Sequence, residues 1–363
     1  MQRQALGRDE QLRVEDLVVR FYTYEGIVKA VERAKLNLRK GETLGIVGET
    51  GSGKSVTALT IMALTPTPGR VEGGNVYFRK TTGETVDILG LKEAELLRIR
   101  GKEISMIFQE PNAALDPLYK VGDQIAEAIL THRMQEMLEK VEELERARKK
   151  TFLDQLPIFR ENARKKLLNI VVRREIVELL RLMEIPDPER VVDSYPHELS
   201  GGMQQRIVIA IALACSPLLL LADEPTTNLD VTVQAQILDL IMRLKQRFGS
   251  SVIYITHDMG VIAEISDRVA VMYAGNVVEV APVKEIFKNP LHPYTRALLE
   301  SIPKPGSTFK SIPGTVPNLV DPPSGCRFHP RCAYAVEKCS RAVPELVEVS
   351  KEHYVACHLQ GGI

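Results

Sequence analysis

The apolar positions of this chain fall into two alternating rhythms. Residues 14–47 carry short apolar segments broken by turn signals and end in "ETLGIVGETGSGKS". "TLGIV" predicts a buried strand, and "SVTALTIMAL" after Lys54 predicts a helix. "GRVEGGNVYFRKTTGETVDILG" is rich in β-branched residues and glycine and predicts short strands and turns. From Thr131 to about Glu184 the pattern is helical and densely charged, with Met134, Met137, Leu138, Val141 and Leu144 on one face. Pro157 divides this stretch into two helices. The charge run reads as a solvated helical face, with partner docking as the sharper alternative. Further on, "IVIAIALAC" predicts a helix, "LLLLADEP" a strand, "DVTVQAQILDLIMRLKQRFG" an amphipathic helix closed by Gly249, and "SVIYITHD" another buried strand. This α/β alternation is that of a parallel sheet wrapped by helices. After about Lys288 prolines cluster, as in "IPGTVPNLVDPPSG", which predicts a boundary and an irregular appendage. The expected division is a domain over 1–288, with a charged helical insert at about 131–176, and an extension over 289–363.

Composition narrows the function classes. At 363 residues, 44% hydrophobic and 26% charged, the chain can bury a sizeable core. Lys plus Arg and Asp plus Glu both number 47, which argues against a broad nucleic-acid-binding face and leaves only room for a local basic patch. The start, "MQRQALGRDEQLRVEDL", has no apolar core region of a secretory signal. The longest apolar run, Ile207 to Ala222, is shorter than the roughly 20 residues of a spanning helix and is interrupted by Pro217. The expectation is a cytoplasmic chain that crosses no membrane. In that reducing compartment clustered cysteines suggest a metal or redox site rather than disulfides.

"GETGSGKS", Gly48 to Ser55, fits G-x-x-x-x-G-K-[ST] in full and lies between a predicted strand and a predicted helix. Small residues let the backbone curl so that its N–H groups converge on phosphate oxygens, and the helix N-terminus adds its positive end. Lys54 is placed to neutralise β- and γ-phosphates, and the Ser55 hydroxyl to ligate Mg²⁺. In "LLLLADEP", Asp223 is the candidate to hold Mg²⁺ through water, and Glu224 to orient or deprotonate an attacking water. "LSGGMQQR", Leu199 to Arg206, puts a Ser-Gly-Gly turn at a helix start. Ser200 there reads either as a plain N-cap or as part of a second anion cradle.

With the phosphate loop, "LSGGM", "LLLLADEP", "NLD" and "THD" in this order, the chain resembles the ATP-binding cassette (ABC) family over almost its whole length. The resemblance implies a phosphate-loop core sheet with antiparallel β and helical subdomains. It implies ATP and Mg²⁺ held by Gly48, Glu49, Thr50, Gly51, Ser52, Gly53, Lys54, Ser55, Asp223 and Gln109. Two cassettes then pair head to tail, and Ser200, Gly201 and Gly202 act on the partner's ATP. Asn228 to Asp230 would join the two sites, and His257 would reach the γ-phosphate. Gln109, in "IFQEPNAALDP", would contact Mg²⁺ and the water. Tyr24 stands where the family stacks an aromatic on adenine, with Phe21 as the alternative. "FQEPNAALDP", "YPHELSGGMQQR", "ADEPTTNLD", "NPLHPYTRALLESIP" and "IPGTVPNL" resemble the dipeptide/oligopeptide importer branch. That branch also covers carriers of nickel and of sugars, and its charged stretch near 132–176 is shorter than here. Membership implies a peripheral ATPase on the cytoplasmic face of the membrane. It works with a second, related but different cassette, two transmembrane permease subunits and, indirectly, an external substrate-binding protein. The rival class is ABC proteins acting on nucleic acid or the ribosome, which typically join two cassettes in one chain.

Four late cysteines run C-x5-C-x6-C-x17-C: Cys326, Cys332, Cys339 and Cys357. Structural zinc sites usually show C-x2-4-C pairs, which neither short gap matches. Four thiolates suit a 4Fe–4S cluster, which members of the resembling branch carry here; zinc and unligated thiols are the alternatives. Cys215 reads as a core residue. His329, His353 and His358 read as bystanders.

Overall fold

The computed structural model describes residues 6–147, 157–227, 229–302 and 312–359. Asn228 therefore lies outside the described residues, as does part of the charged insert. In chain order the strands are β1 (Glu10–Thr23), β2 (Gly26–Arg39), β3 (Thr43–Val47), β4 (Gly69–Arg79), β5 (Thr85–Asp87) and β6 (Ile104–Ile107). They continue with β7 (Leu219–Asp223), β8 (Ser251–Thr256), β9 (Arg268–Tyr273), β10 (Asn276–Pro282), β11 (Val347–Ser350) and β12 (His353–Val355). The helices are α1 (Lys54–Ile61), α2 (Glu93–Ile99), α3 (Pro111–Ala114), α4 (Val121–Ala147), α5 (Pro157–Leu182) and α6 (Pro188–Val191). After them come α7 (Gly201–Leu213), α8 (Val231–Phe248), α9 (Met259–Ile265), α10 (Val283–Lys288), α11 (Pro293–Glu300) and α12 (Glu337–Arg341).

By contacts the chain divides into two compact units. The first comprises Met1–Leu96, Leu218–Glu224 and Lys245–Ile363, and the second Leu97–Pro217 and Pro225–Leu244. In the first unit β2-β1-β4-β5 form an antiparallel sheet, and β11-β12-β10-β9-β3-β8-β7 lie side by side in another. β3 pairs in parallel with both β8 and β9, and β7 in parallel with β8. Every residue of β3, β7 and β8 is buried. A parallel strand covered on both faces has no polar side, which is why these strands read as unbroken apolar runs.

The C-terminal residues, where the prolines predict an irregular appendage, contribute the two strands β11 and β12. β12 pairs antiparallel with β10, setting Glu279 opposite Val355, and β11 pairs with β12. Without this strand the β10 edge would present unpaired N–H and C=O groups. At the pairing, His353 Nε2 lies 2.7 Å from Glu279 Oε1, both side chains essentially inaccessible to solvent. The carboxylate also accepts from the N–H groups of Leu291 and His292 at 2.8 and 2.9 Å. Burial pushes the Glu279 carboxyl up, but this shell of donors holds it below the ordinary range.

In the second unit the charged stretch forms two helices, α4 and α5, that pack on each other. Met137 and Val141 of α4 are fully buried, while Met134 is exposed, so the apolar face is narrower than its spacing predicts. α5 buries Val171, Val172, Ile176 and Leu180. The charges are not simply solvated: Arg133 and Lys140 reach Glu175 across the pair at 3.2 and 2.6 Å. Arg133 also donates to the Ala214 carbonyl at 2.9 Å, and its own backbone leaves the helical range there, kinking α4. Its guanidinium beside Glu136 holds that carboxyl down to about 2. Cys215 lies just past α7, half-buried, with its thiol directed at the Ala128 carbonyl at 3.6 Å.

Candidate functional site: a phosphate loop and its flanking acids

The loop from Gly48 to Gly53 joins β3 to α1. Two glycines in it have a steric reason. A Cβ on Gly48 would lie 2.1 Å from the Met272 carbonyl oxygen. Gly53 caps α1 at φ 96°, a left-handed conformation, and a Cβ there would meet the Ala30 carbonyl at 2.6 Å. The Gly48–Gly53 backbone is thus fixed between β2 and the end of β9, with the α1 N-terminus behind it. Lys54 is buried, and its ammonium donates to the carbonyls of Gly48 and Glu49 at 2.7 and 3.0 Å. Burial pulls the Lys54 pKa down, against the opposing pull of Glu224, Asp223 and Glu49. An ammonium at the N-terminus of a helix, beside a tightly curled glycine loop, suits a polyphosphate.

The Ser55 hydroxyl donates to Asp223 Oδ1 at 3.0 Å, joining the start of α1 to the end of β7 across 168 residues. Burial raises the Asp223 carboxyl above its usual range and Glu224 adds to this, while Ser55 and Lys54 oppose it. A hydroxyl and a carboxylate converging beside a phosphate lysine are the hard oxygen donors that suit Mg²⁺. Glu224 follows in a left-handed conformation, φ 46°, and its N–H still bonds to the Ile255 carbonyl at 2.9 Å. Such a backbone costs on the order of 1 kcal/mol in a residue other than glycine. It turns the carboxylate toward His257, whose Nδ1 lies 3.2 Å from Glu224 Oε1. The His257 side chain is 61% exposed and that of Glu224 only 15%. A carboxylate sheltered from water next to an open imidazole can accept a proton from a water at the mouth of the site.

The first unit thus gathers Lys54, Ser55, Asp223, Glu224 and His257 at the C-terminal ends of adjacent parallel strands. This is where ligands bind in open α/β sheets. Tyr24 sits in the same unit on the β1–β2 turn with its ring fully exposed. Phe21 is half-buried, opposite Gly69 and Val28, so Tyr24 is the more exposed of the two rings. Gln109 and the Ser200–Gly202 turn belong to the second unit, Gln109 just after β6. Ser200 is exposed and caps α7, accepting from the Met203 N–H at 3.4 Å. The cap and the anion-cradle readings are compatible: one long bond leaves the N-terminal amides of Gly201 and Gly202 at the surface. Asp230 caps α8 through the N–H groups of Thr232 and Val233, both at 3.0 Å.

The four late cysteines act on one another through charge. Burial pushes the Cys326 thiol up to about 11, a backbone bond at Phe328 opposes this, and Cys339, Cys357 and Cys332 each add to it through charge. Among the described residues no group of three or more His, Cys, Asp or Glu side chains is placed to hold a metal ion, so the metal site expected from these cysteines is not seen.

Three residues around the loop were not singled out in the sequence. The Tyr294 hydroxyl accepts from the Glu49 N–H at 2.9 Å. His292 Nδ1 accepts from the Tyr294 N–H at 3.0 Å and caps α11. Arg331 forks onto the Glu49 carboxylate at 2.8 and 3.1 Å. An arginine amid thiols in "GCRFHPRC" is a visible cue to Arg331. Nothing local in "NPLHPYT" marks its tyrosine as a loop support.

A phosphate loop, a Ser–Asp pair and a sheltered glutamate beside an open histidine, at the ends of adjacent parallel strands, define a phosphate-loop ATPase of the cassette type. The chain belongs to the ABC transporter family, whose profile matches residues 31–227, and the oligopeptide/dipeptide transporter C-terminal region matches residues 278–339. It is thus an ATP-binding cassette of the peptide-transporter branch, an ATPase coupled to transport. It is 46% identical to the oligopeptide transport ATP-binding protein OppD of Bacillus subtilis over 95% of this chain and 87% of that protein. It is 43% identical to the dipeptide transport ATP-binding protein DppD of Haemophilus influenzae, over 96% of this chain and 94% of that one. Among solved structures, the cassette MJ0796 in a dimeric post-hydrolysis state with ADP and Pi matches at TM-score 0.55. The two are 27% identical over 75% of this chain and 98% of that one. Among the described residues no helix is long and apolar enough to cross a membrane.

Proposed function

We propose that this chain is the ATP-hydrolysing subunit of an importer of dipeptides or oligopeptides, peripheral on the cytoplasmic face of the membrane. The observation that carries this is the Lys54–Ser55–Asp223–Glu224–His257 constellation in a chain whose C-terminal region matches that of oligopeptide and dipeptide transporters. In this reading Lys54 neutralises the β- and γ-phosphates, and Ser55, Asp223 and Gln109 hold Mg²⁺. Mg²⁺, when bound, supplies charge neutralisation of the phosphates. Glu224 takes the proton of the attacking water, and His257 contacts the γ-phosphate. Tyr24 stacks on adenine. Ser200, Gly201 and Gly202 face the ATP of a second, related cassette, in keeping with the dimeric MJ0796. Closure of the pair drives two permease subunits fed by an external binding protein. The branch's sugar and nickel carriers make those cargoes the competing outcome.

The proposed division is a cassette over 1–288, with the α4–α5 insert, and a cysteine-bearing extension over 289–363. Cys326, Cys332, Cys339 and Cys357 would hold a 4Fe–4S cluster. The count of four thiols, and short gaps that do not match the paired spacing of zinc sites, favour a cluster over zinc. Iron and acid-labile sulfide near four each per chain, in protein purified without oxygen, is the expected result; zinc alone, or no metal, removes this assignment.

Glu224→Gln tests the mechanism. ATP binding is retained, hydrolysis falls by about 10²–10⁴-fold, and a closed cassette pair accumulates. Unchanged turnover would mean that another group is the base. With the permeases in vesicles, ATP-dependent uptake of labelled peptide but not of nickel or sugar is expected. The reverse preference would overturn the peptide assignment.

A further inference from the structure

The residues after Leu319 frame both ends of the nucleotide site. The Leu319 carbonyl accepts from the Lys29 N–H at 2.8 Å, beside the turn that bears Tyr24. Val320 packs so closely on that turn that a Cβ on Gly26 would lie 2.6 Å from its Cγ1. Arg327 donates to the carbonyls of Ala274 and Lys29 and to Glu32. Arg331 reaches the phosphate loop itself. Its two terminal nitrogens fork onto Glu49, one of them also bonds the Tyr273 hydroxyl at 3.3 Å, and Nε donates to the Pro313 carbonyl at 2.7 Å. The guanidinium also lies 5.7 Å from the centre of the Tyr273 ring. Its side chain is 5% exposed.

This is a built arrangement. A planar fork matches a carboxylate with two parallel bonds, and a flexible point-charge ammonium does not reproduce it. The Glu49 carboxylate acts on the Lys54 ammonium through charge, so it stands near the place where the phosphates bind. Left unneutralised, it would repel a triphosphate. The loop backbone at Glu49 is meanwhile held by Tyr294.

We propose that Arg331 is a positioning residue for ATP: it neutralises Glu49 and fixes it away from the phosphates, so that the cysteine-bearing segment sets nucleotide affinity. The proposal rests on the reading of Gly48–Ser55 as the ATP loop. Arg331 is not catalytic, because it acts through Glu49. The charge argument makes a distinctive demand: a defect caused by losing Arg331 is repaired by removing the charge on Glu49.

The test measures binding of a fluorescent ATP analogue, together with KM and kcat for ATP, in the full chain assembled with its partner subunits. Arg331→Met is expected to weaken ATP on the order of tenfold, mostly in KM, with kcat changed less than about twofold. Adding Glu49→Gln to Arg331→Met restores most of the affinity, and Arg331→Lys lies between wild type and Arg331→Met. Wild-type affinity in Arg331→Met, or no repair in the double variant, overturns the proposal; the latter would reduce Arg331 to a structural anchor. Should Arg331→Met not fold, Glu49→Gln alone decides: equal or tighter ATP binding supports the proposal, and severalfold weaker binding refutes it. Lys54→Ala separates the two failures, since normal ATP binding there would sink the loop assignment and not the role of Arg331.

Discussion

His292 offers a quantitative test of how the C-terminal part of the first unit is held. Its ring is buried, and its Nδ1 must be unprotonated to accept the Tyr294 N–H. Burial depresses the imidazole from 6.5 to about 4, with the Glu279 carboxylate pulling the other way. The folded state therefore refuses a proton that the unfolded chain accepts. Stability is fully present above the ordinary histidine value and drains as pH falls from there toward about 4. Linkage between those two values gives a loss of about 2 kcal/mol at about pH 5. Glu279 acts in a different window: its carboxyl is held low, so its contribution is present above the ordinary carboxylate range and fades only below it. The assay is urea unfolding at about pH 7.5 and about pH 5, followed by tyrosine fluorescence, as the chain has no tryptophan. The comparison is with His292→Asn, whose amide oxygen can still cap α11 but does not titrate. Wild type should lose about 2 kcal/mol more than the variant on acidification. Equal losses would refute the argument, because His292 would then carry no proton-linked stability.

Lys54→Ala should weaken ATP binding by at least about tenfold while leaving the melting temperature near wild type, checked by nucleotide titration and calorimetry. Tyr24→Ala should cost roughly 1 kcal/mol of ATP affinity and nothing measurable in stability, because the ring is fully exposed; an inorganic triphosphate, which has no base, should bind both forms equally. Met137→Ala should destabilise by about 2–5 kcal/mol in urea unfolding, and a cost within about 0.5 kcal/mol would show that the α4 face is not packed.

Some of this molecule is written locally. The phosphate loop could be read because its glycines, lysine and serine lie within eight residues, so one local pattern records both the turn and its chemistry. The strands β3, β7 and β8 could be read because burial on both faces leaves a run with no polar position. The amphipathic α8 and its stop at Gly249 follow from spacing and from a left-handed glycine at φ 67°. Other features depend on which elements meet. Met134 has the spacing of a core residue and is exposed, because periodicity records a helix face but not how wide its partner is. The proline-rich tail gave no sign of the strand that closes the β10 edge, since three residues are too few to show an alternation. The sequence by itself determined the phosphate loop and the burial of β3, β7 and β8, products of short-range backbone geometry and solvent exclusion. Only the tertiary structure decided that Asp223 meets Ser55, 168 residues away, and that Arg331 meets Glu49, 282 residues away. A charged side chain carries no record of its partner until packing brings the two together and burial makes the pairing obligatory.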